Sequence, residues 1–499
     1  MIRKAKVEGG IVVGIPAADP RITAFKGIPF AAPPVGENRW KAPQPVIPWE
    51  GEKECFQFAP ISMQHIPGLD PNNLYTKEWN VDPEIPMDED CLYLNVWTPA
   101  KSADEKLPVF VWYFGGGLRE GNPAEMEFDG ERIARRGVVV VTVNYRLNVF
   151  GFLAHPELEA SQPDAPANFG HLDQRAGTLW AKNNIAAFGG DPDNITIGGQ
   201  SAGGGSVCSQ LASPQNEGLF QKAIIMSGLM GNLYGGGFPR RDYEGLKQQG
   251  VDFFKFLGVE TLEEARKIDA VTLRDKCEEF KGMWGTVADG VFLEKPAMDV
   301  IMEGNRWKVP LMVGRTMDEF LVGMNAASME DLKAKAVEAF GDKADEFLAL
   351  CGDDLEEANK RTIMSGIEVA MRSIRKREEK LGMDIPYYCY LFDPEMPGDD
   401  AGTFHSSDLW FFWETLAKCW RPFVGKHYDL SRQMCNYWAN FFKCGDPNGL
   451  DADGTPMPQW KPYTVAEQNM MHFADVSEPI DGKADDFTQF LVDVFEAKF

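Results

Sequence analysis

No C-x-x-C pair occurs among the nine cysteines of this chain, and nine is an odd number. Neither a zinc-binding knuckle nor a complete disulfide framework is therefore expected. Histidine is also scarce. The six (65, 155, 171, 405, 427 and 472) show no H-E-x-x-H or comparable spacing, so no metal site is expected. Positive charge is in short supply, because 50 Lys and Arg face 75 Asp and Glu for a net charge of −25. Such a surface repels phosphate backbones and anionic lipid, which excludes nucleic acid and acidic membranes as partners. Long apolar runs are missing, so no transmembrane helix is expected. The basic start Met1-Ile2-Arg3-Lys4 lacks the apolar stretch of a secretory leader. With unpaired cysteines, that makes the cytoplasm the expected location. No repeat, low-complexity tract or linker interrupts the 499 residues, so one large domain spanning 1–499 is expected.

What is present is a core. The composition, 44% hydrophobic and 25% charged, supports a large packed interior. Short apolar runs recur at Val109–Tyr113, Val138–Val143, Ile195–Ile197, Ala223–Met226, Leu311–Val313 and Tyr387–Leu391. Their apolarity is continuous rather than alternating, which predicts strands buried on both faces of a mostly parallel sheet. Helical composition separates them at 171–187, 244–256, 329–350 and 353–381. The last two are rich in Glu, Lys and Ala and read as solvated outer helices. Gly27-Ile28-Pro29 and Ala32-Pro33-Pro34 read as surface loops. The fold class expected is α/β.

One pentapeptide stands out, Gly199-Gln200-Ser201-Ala202-Gly203. The β-branched Ile195-Thr196-Ile197 precedes it, and the small residues Gly204–Leu211 follow, so Ser201 falls on a strand-to-helix turn. That turn pushes a hydroxyl outward and puts the Ala202 amide at a helix N-terminus, where negative charge is favoured. A glycine-rich chain can match G-x-S-x-G by accident, so an ordinary turn is the competing reading. Acyl transfer by serine further requires a base, an acid to orient it and oxyanion donors. Gly115-Gly116-Gly117 follows a predicted strand and offers converging amides, or a plain turn; each such donor is worth about 3–4 kcal/mol of barrier. Among six histidines no residue pattern selects a base, although His405 lies late in the chain, as the order serine, acid, histidine requires. Asp318 and Glu319, after Leu311-Met312-Val313-Gly314, are equal candidates for the acid.

The longer run Phe188-Gly189-Gly190-Asp191-Pro192-Asp193-Asn194 leading into Gly203 resembles the serine signature of the type-B carboxylesterases, the family that includes cholinesterases. Glu89 through Pro99 resembles that family's second signature. Gly27–Ala31 with Pro33–Gly36, Asn144-Tyr145-Arg146, and Gly170 with Asp173-Gln174-Arg175 resemble it too. The resemblance runs from about residue 7 to near the C-terminus. It implies an α/β-hydrolase fold, a mostly parallel sheet flanked by helices and carrying insertions. It further implies Ser201 as nucleophile, His405 as general base and Glu319 as acid, with the amides of Gly116, Gly117 and Ala202 as the oxyanion hole. By the same likeness Ser227 and Asp408 are second-layer groups near the histidine, and Arg39 with Glu89 is a buried structural pair.

Departures from the family pattern bear on substrate range. Phe114 stands where relatives often place His or Tyr, and Leu118-Arg119 where an aromatic is common. Cys91 stands where the family usually has a cysteine disulfide-bonded to one upstream, but the matching upstream place is near Ser62 and Cys55 sits outside it, which implies a free buried thiol. Tyr234 and Met283-Trp284 fall near the family's acyl pocket, although aromatic residues and methionine are more often plain core. The expectation is a cofactor-free serine hydrolase of small carboxylic esters. Carbamates, lactones and aromatic-acid esters remain open as substrates, as does a non-catalytic binding protein on the same fold.

Overall fold

A computed structural model describes residues 1–65, 72–79, 84–235 and 242–499. Its centre is an 11-stranded sheet. In chain order the strands are β1 (Ile15–Pro16), β2 (Thr23–Pro29), β3 (Tyr93–Thr98), β4 (Leu107–Tyr113), β5 (Val139–Val143), β6 (Gly190–Gln200), β7 (Lys222–Met226), β8 (Leu311–Thr316), β9 (Tyr387–Phe392), β10 (Asn469–Phe473) and β11 (Ser477–Asp481). Across the sheet they run β11-β10-β9-β8-β7-β6-β4-β5-β3-β2-β1. Every neighbouring pair from β5 to β10 is parallel, and the antiparallel pairs lie at the two margins. This is the α/β-hydrolase arrangement, and each expected strand is present.

Burial on both faces explains the continuous apolar runs. Along β4, Phe110 and Trp112 face one core, with Phe412, Trp413, Trp438 and Phe442, while Val109, Val111 and Tyr113 face the other, with Trp180 and Phe188. All five residues of β5 are buried. Parallel neighbours need crossovers, and helices supply them. The helices that matter for the site are α1 (Leu74–Trp79), which lies in the chain between the antiparallel β2 and β3, and the crossover helices α2 (Phe169–Asn184), α3 (Ala202–Ala212), α4 (Gly366–Lys380) and α5 (Gly425–Cys444).

Three local expectations fail. Gly27-Ile28-Pro29 lies within β2, where a bulge between Phe25 and Ile28 accommodates Gly27 at φ +75°, and Ile28 is buried. Segment 329–350 splits at Gly341 into helices Met329–Phe340 and Ala344–Cys351. Segment 353–381 divides into a helix, Leu355–Arg361, the short strand Met364–Ser365 and α4. Helix α4 is not a solvated outer helix. Its Glu368 is buried between Arg315 and Arg372, each 2.7 Å away, and Glu378 is buried against Arg306 at 2.6 Å. These charges read as solvent-facing in sequence because Arg315 and Arg306, which pair with them, lie outside the helix and far along the chain.

Candidate active site

Strand β6 ends at Gln200 and α3 begins at Ala202, so Ser201 alone makes the turn. It holds φ 57° and ψ −126°, a combination that costs a non-glycine residue about 1–3 kcal/mol. The turn is held from both sides. The Ser201 amide donates to Met226 O at 2.9 Å, and the Ser201 carbonyl accepts from Gly205 N at 2.9 Å. Gly203 lets α3 close onto the end of β4, since a Cβ there would collide with the Tyr113 carbonyl oxygen. The C-terminal edge of the parallel strands thus carries the serine, as open α/β sheets carry their ligand sites.

The loop leaving β4 passes directly over this turn. A Cβ on Gly115 would lie 3.1 Å from Ser201 Cβ. Gly116 and Gly117 follow with φ +99° and +67°, both exposed, conformations that free the peptide planes to turn their N–H groups outward. Among the described residues the amides of Gly116, Gly117 and Ala202 have no hydrogen-bond partner. Arg119 and Glu120 both donate their amides to Gly116 O at 3.1 Å, which closes the loop on itself.

His405 arrives on the loop after β9, and its Nδ1 is hydrogen-bonded to Glu319 Oε2. Glu319 is buried and its other oxygen accepts from Ser227 Oγ at 2.6 Å and from Thr316 N at 2.8 Å. One carboxylate oxygen is therefore taken by two donors, and the other is given to the imidazole. Asp318, equal to Glu319 in sequence, points elsewhere. It accepts from Thr403 N at 2.9 Å and Thr403 Oγ1 at 3.1 Å, and so pins the loop that carries His405.

A model of the carboxylesterase family matches residues 2–368 and 356–488. The chain belongs to the carboxylesterase family, and with it to the hydrolases of carboxylic esters. It is 34% identical to a fumonisin B1 esterase of Sphingopyxis macrogoltabida over 68% of this chain and 61% of that protein. It is 28% identical to a Mus musculus cholinesterase over 92% of this chain and 81% of the relative. Among solved structures, a PNB esterase superposes with a TM-score of 0.80 at 28% identity, covering 98% of this chain and 99% of that one.

Around this glutamate and imidazole, Ser227 is hydrogen-bonded to Glu319, the residue that holds the His405 ring. Asp408 is buried, and Tyr390 Oη donates to it at 2.9 Å. Burial first, and the charge of Glu319 second, push its carboxyl up to about 7. Gln200 was not singled out in sequence, yet its Nε2 lies 3.3 Å from His405 Nε2 and donates to Ser406 Oγ at 2.7 Å. Its position next to Ser201 is the signal that could have found it. Phe320 packs on the His405 ring at 4.3 Å between centroids. Phe404 stands edge-on to Tyr75 and Trp79 of α1, which Glu78 ties to the Arg421 loop at 2.8 Å.

The other residues singled out in sequence have their own partners. Tyr234 donates its hydroxyl to Thr362 O at 2.6 Å and packs on Phe340 and Phe347. Trp284 is core against Phe253 and Phe280, and Met283 is exposed. Arg39 and Glu89 form the expected buried pair, with Nη2 to Oε2 at 2.8 Å. The nine cysteines are free thiols, and burial pushes Cys91, beside Ser62, up to about 12. Among the described residues no helix is long and apolar enough to cross a membrane.

Proposed function

We propose that this carboxylesterase cleaves small-molecule esters by acyl transfer through Ser201. The observation carrying the proposal is convergence. A strained serine turn, an imidazole held by a buried glutamate and three unpartnered amides meet at one edge of the sheet. With the Nδ1 proton on the Glu319 side, His405 Nε2 presents its lone pair toward the serine turn. The Ser201 hydroxyl turns to that nitrogen, loses its proton to it and attacks the ester carbonyl. Glu319 keeps the ring oriented and stabilises the imidazolium. The amides of Gly116, Gly117 and Ala202 take up the negative charge of the tetrahedral intermediate. His405 then protonates the leaving alcohol, and water repeats the sequence on the acyl-enzyme. No step calls on a metal or cofactor.

The test is Ser201→Ala. Hydrolysis of p-nitrophenyl acetate is expected to vanish while thermal unfolding stays within a few degrees of the parent. A fluorophosphonate should add once, at Ser201, when the labelled peptide is read by mass spectrometry. Turnover that survives in the alanine variant would reject the proposal. Profiles of kcat/KM over simple esters, carbamates, lactones and aromatic-acid esters then rank the substrate classes.

A further inference from the structure

Behind the glycine loop lies a pair of carboxyls that the proposed chemistry does not use. Glu125 Oε1 accepts from Asn122 N at 2.7 Å, and the side chains of Glu125 and Glu127 face each other within hydrogen-bonding range. Glu127 is wholly buried, and neither of its oxygens has a conventional donor among the described residues. The charged and titratable groups around them offer no relief. Glu120 faces Glu125 from the loop, Glu78 faces Glu127 from α1, and Tyr145 faces Glu125 from the segment after β5. Glu78 is committed to Arg421, and Glu414, beside the Thr415 whose hydroxyl donates to Glu127 O, is committed to Arg136 at 2.7 Å. Glu127 is wholly buried and Glu125 partly so, and with no cation between them two facing carboxylates cannot both be ionised at low cost, so one proton serves the pair. Burial raises both groups, and the charge of Glu125 raises Glu127 further.

The location of the pair gives it a task. The returning arm of the loop is wedged at Gly121, where a Cβ would lie 2.9 Å from Gly115 O on one side and 3.3 Å from Glu125 Oε1 on the other. Gln64 grips the same glycine through its amide and carbonyl, at 2.8 and 3.0 Å. Gly115 in turn lies over Ser201. We propose that Glu125 and Glu127 are positioning residues for the oxyanion loop, their shared proton holding the Gly121 arm against Gly115 and keeping a second negative charge away from the amides of Gly116 and Gly117. This inference rests on the reading of those amides as oxyanion donors. Loss of the shared proton to solvent at alkaline pH leaves two facing carboxylates, which push Glu125 off the Asn122 amide and oppose the developing oxyanion.

The experiment compares Glu127→Leu, Glu127→Gln and Glu125→Gln with the parent, using p-nitrophenyl acetate from neutral to strongly alkaline pH. Glu127→Leu removes the proton donor and is expected to lower kcat about tenfold, with KM changed less than twofold. Glu127→Gln replaces the shared proton with an amide donor. It is expected to recover most of that loss and to remove the alkaline decline in kcat that the pair imposes. Glu125→Gln keeps one charge and one donor, and should likewise flatten the alkaline limb. If Glu127→Leu fails to fold, the two Gln variants decide the matter by their pH profiles. Parent-like kcat and pH dependence in Glu127→Leu, or an unchanged alkaline limb in both Gln variants, would overturn the assignment. Ser201→Ala, run alongside, separates the two failures: activity there removes the underlying mechanism, whereas its loss with silent Glu127 variants removes only the positioning role.

Discussion

At the scale of single residues, direction matters more than identity. Asp318 and Glu319 are adjacent carboxylates of the same charge, and no pattern in the chain separates them. The backbone does, by sending Glu319 to His405 and Asp318 to Thr403. Glu319→Gln should therefore lower kcat by about a thousand-fold or more, as removal of an orienting acid does. Asp318→Asn should cost about tenfold, through a loosened His405 loop, and steady-state kinetics on the two variants checks the order. Asp408 supplies a pH signature. Its folded carboxyl sits above its ordinary value at about 7, so the folded state binds a proton that the unfolded chain releases earlier. Stability from that group is present at low pH and declines as pH rises from about 4 to about 7. Asp408→Asn abolishes the decline, and its Tm relative to the parent should rise across that window by the equivalent of about a few kcal/mol at most. A difference in Tm that stays flat with pH would contradict this.

At the scale of elements, the strand–turn–helix unit was the most legible part of the chain. Ile195-Thr196-Ile197, one serine and a run of small residues leave little choice of conformation, because only a tight helix approach accommodates them. Gly203→Ala tests the close approach. Its Cβ would meet the Tyr113 carbonyl, so α3 must shift and Ser201 with it. A loss of about a hundred-fold in kcat is expected, with a slowed rate of fluorophosphonate labelling as the independent measure. Helix α4 was the least legible. Its Arg and Glu content suggested solvent, yet Glu368 and Glu378 are buried because their guanidinium partners arrive from Arg315 on β8 and from Arg306, outside the helix. Burial opposes ionisation of Glu368, but the charges of Arg315 and Arg372 outweigh it and lower the carboxyl to about 2. A depressed acid stabilises the fold above its ordinary value of 4.5, and that contribution fades as pH falls toward about 2. Glu368→Gln leaves two buried guanidiniums unbalanced and should cost about 3–5 kcal/mol near neutral pH. Urea titrations at neutral and acid pH should show the gap between variant and parent closing on the acid side.

At the scale of the whole molecule, the sheet is assembled from both ends of the chain. Strand β1 begins at Ile15, and β10 and β11 span 469–481. The C-terminal helix Asp486–Glu496 then packs back on α4 through Lys376 to Asp493 at 2.5 Å and Arg377 to Glu496 at 3.3 Å. Truncation after Tyr463 would uncover the edge of β9 and the apolar face of α4 together. Such a chain is expected to lose the cooperative unfolding transition and to aggregate, because an open strand edge pairs with other chains. Sedimentation and a thermal melt would register both effects.

By itself the sequence determined the α/β class, the run of buried strands and the serine on its turn. Each of these depends on near neighbours, through β-branching, continuous apolarity and the steric demands of glycine. Tertiary structure alone decided which carboxylate meets His405, that Gln200 reaches the imidazole and that Glu125 and Glu127 face each other behind the glycine loop. Those relations join residues from separate strands and loops, or turn on the direction of one side chain. No local pattern carries that information, because it is created when the crossovers bring the ends of the strands to one edge.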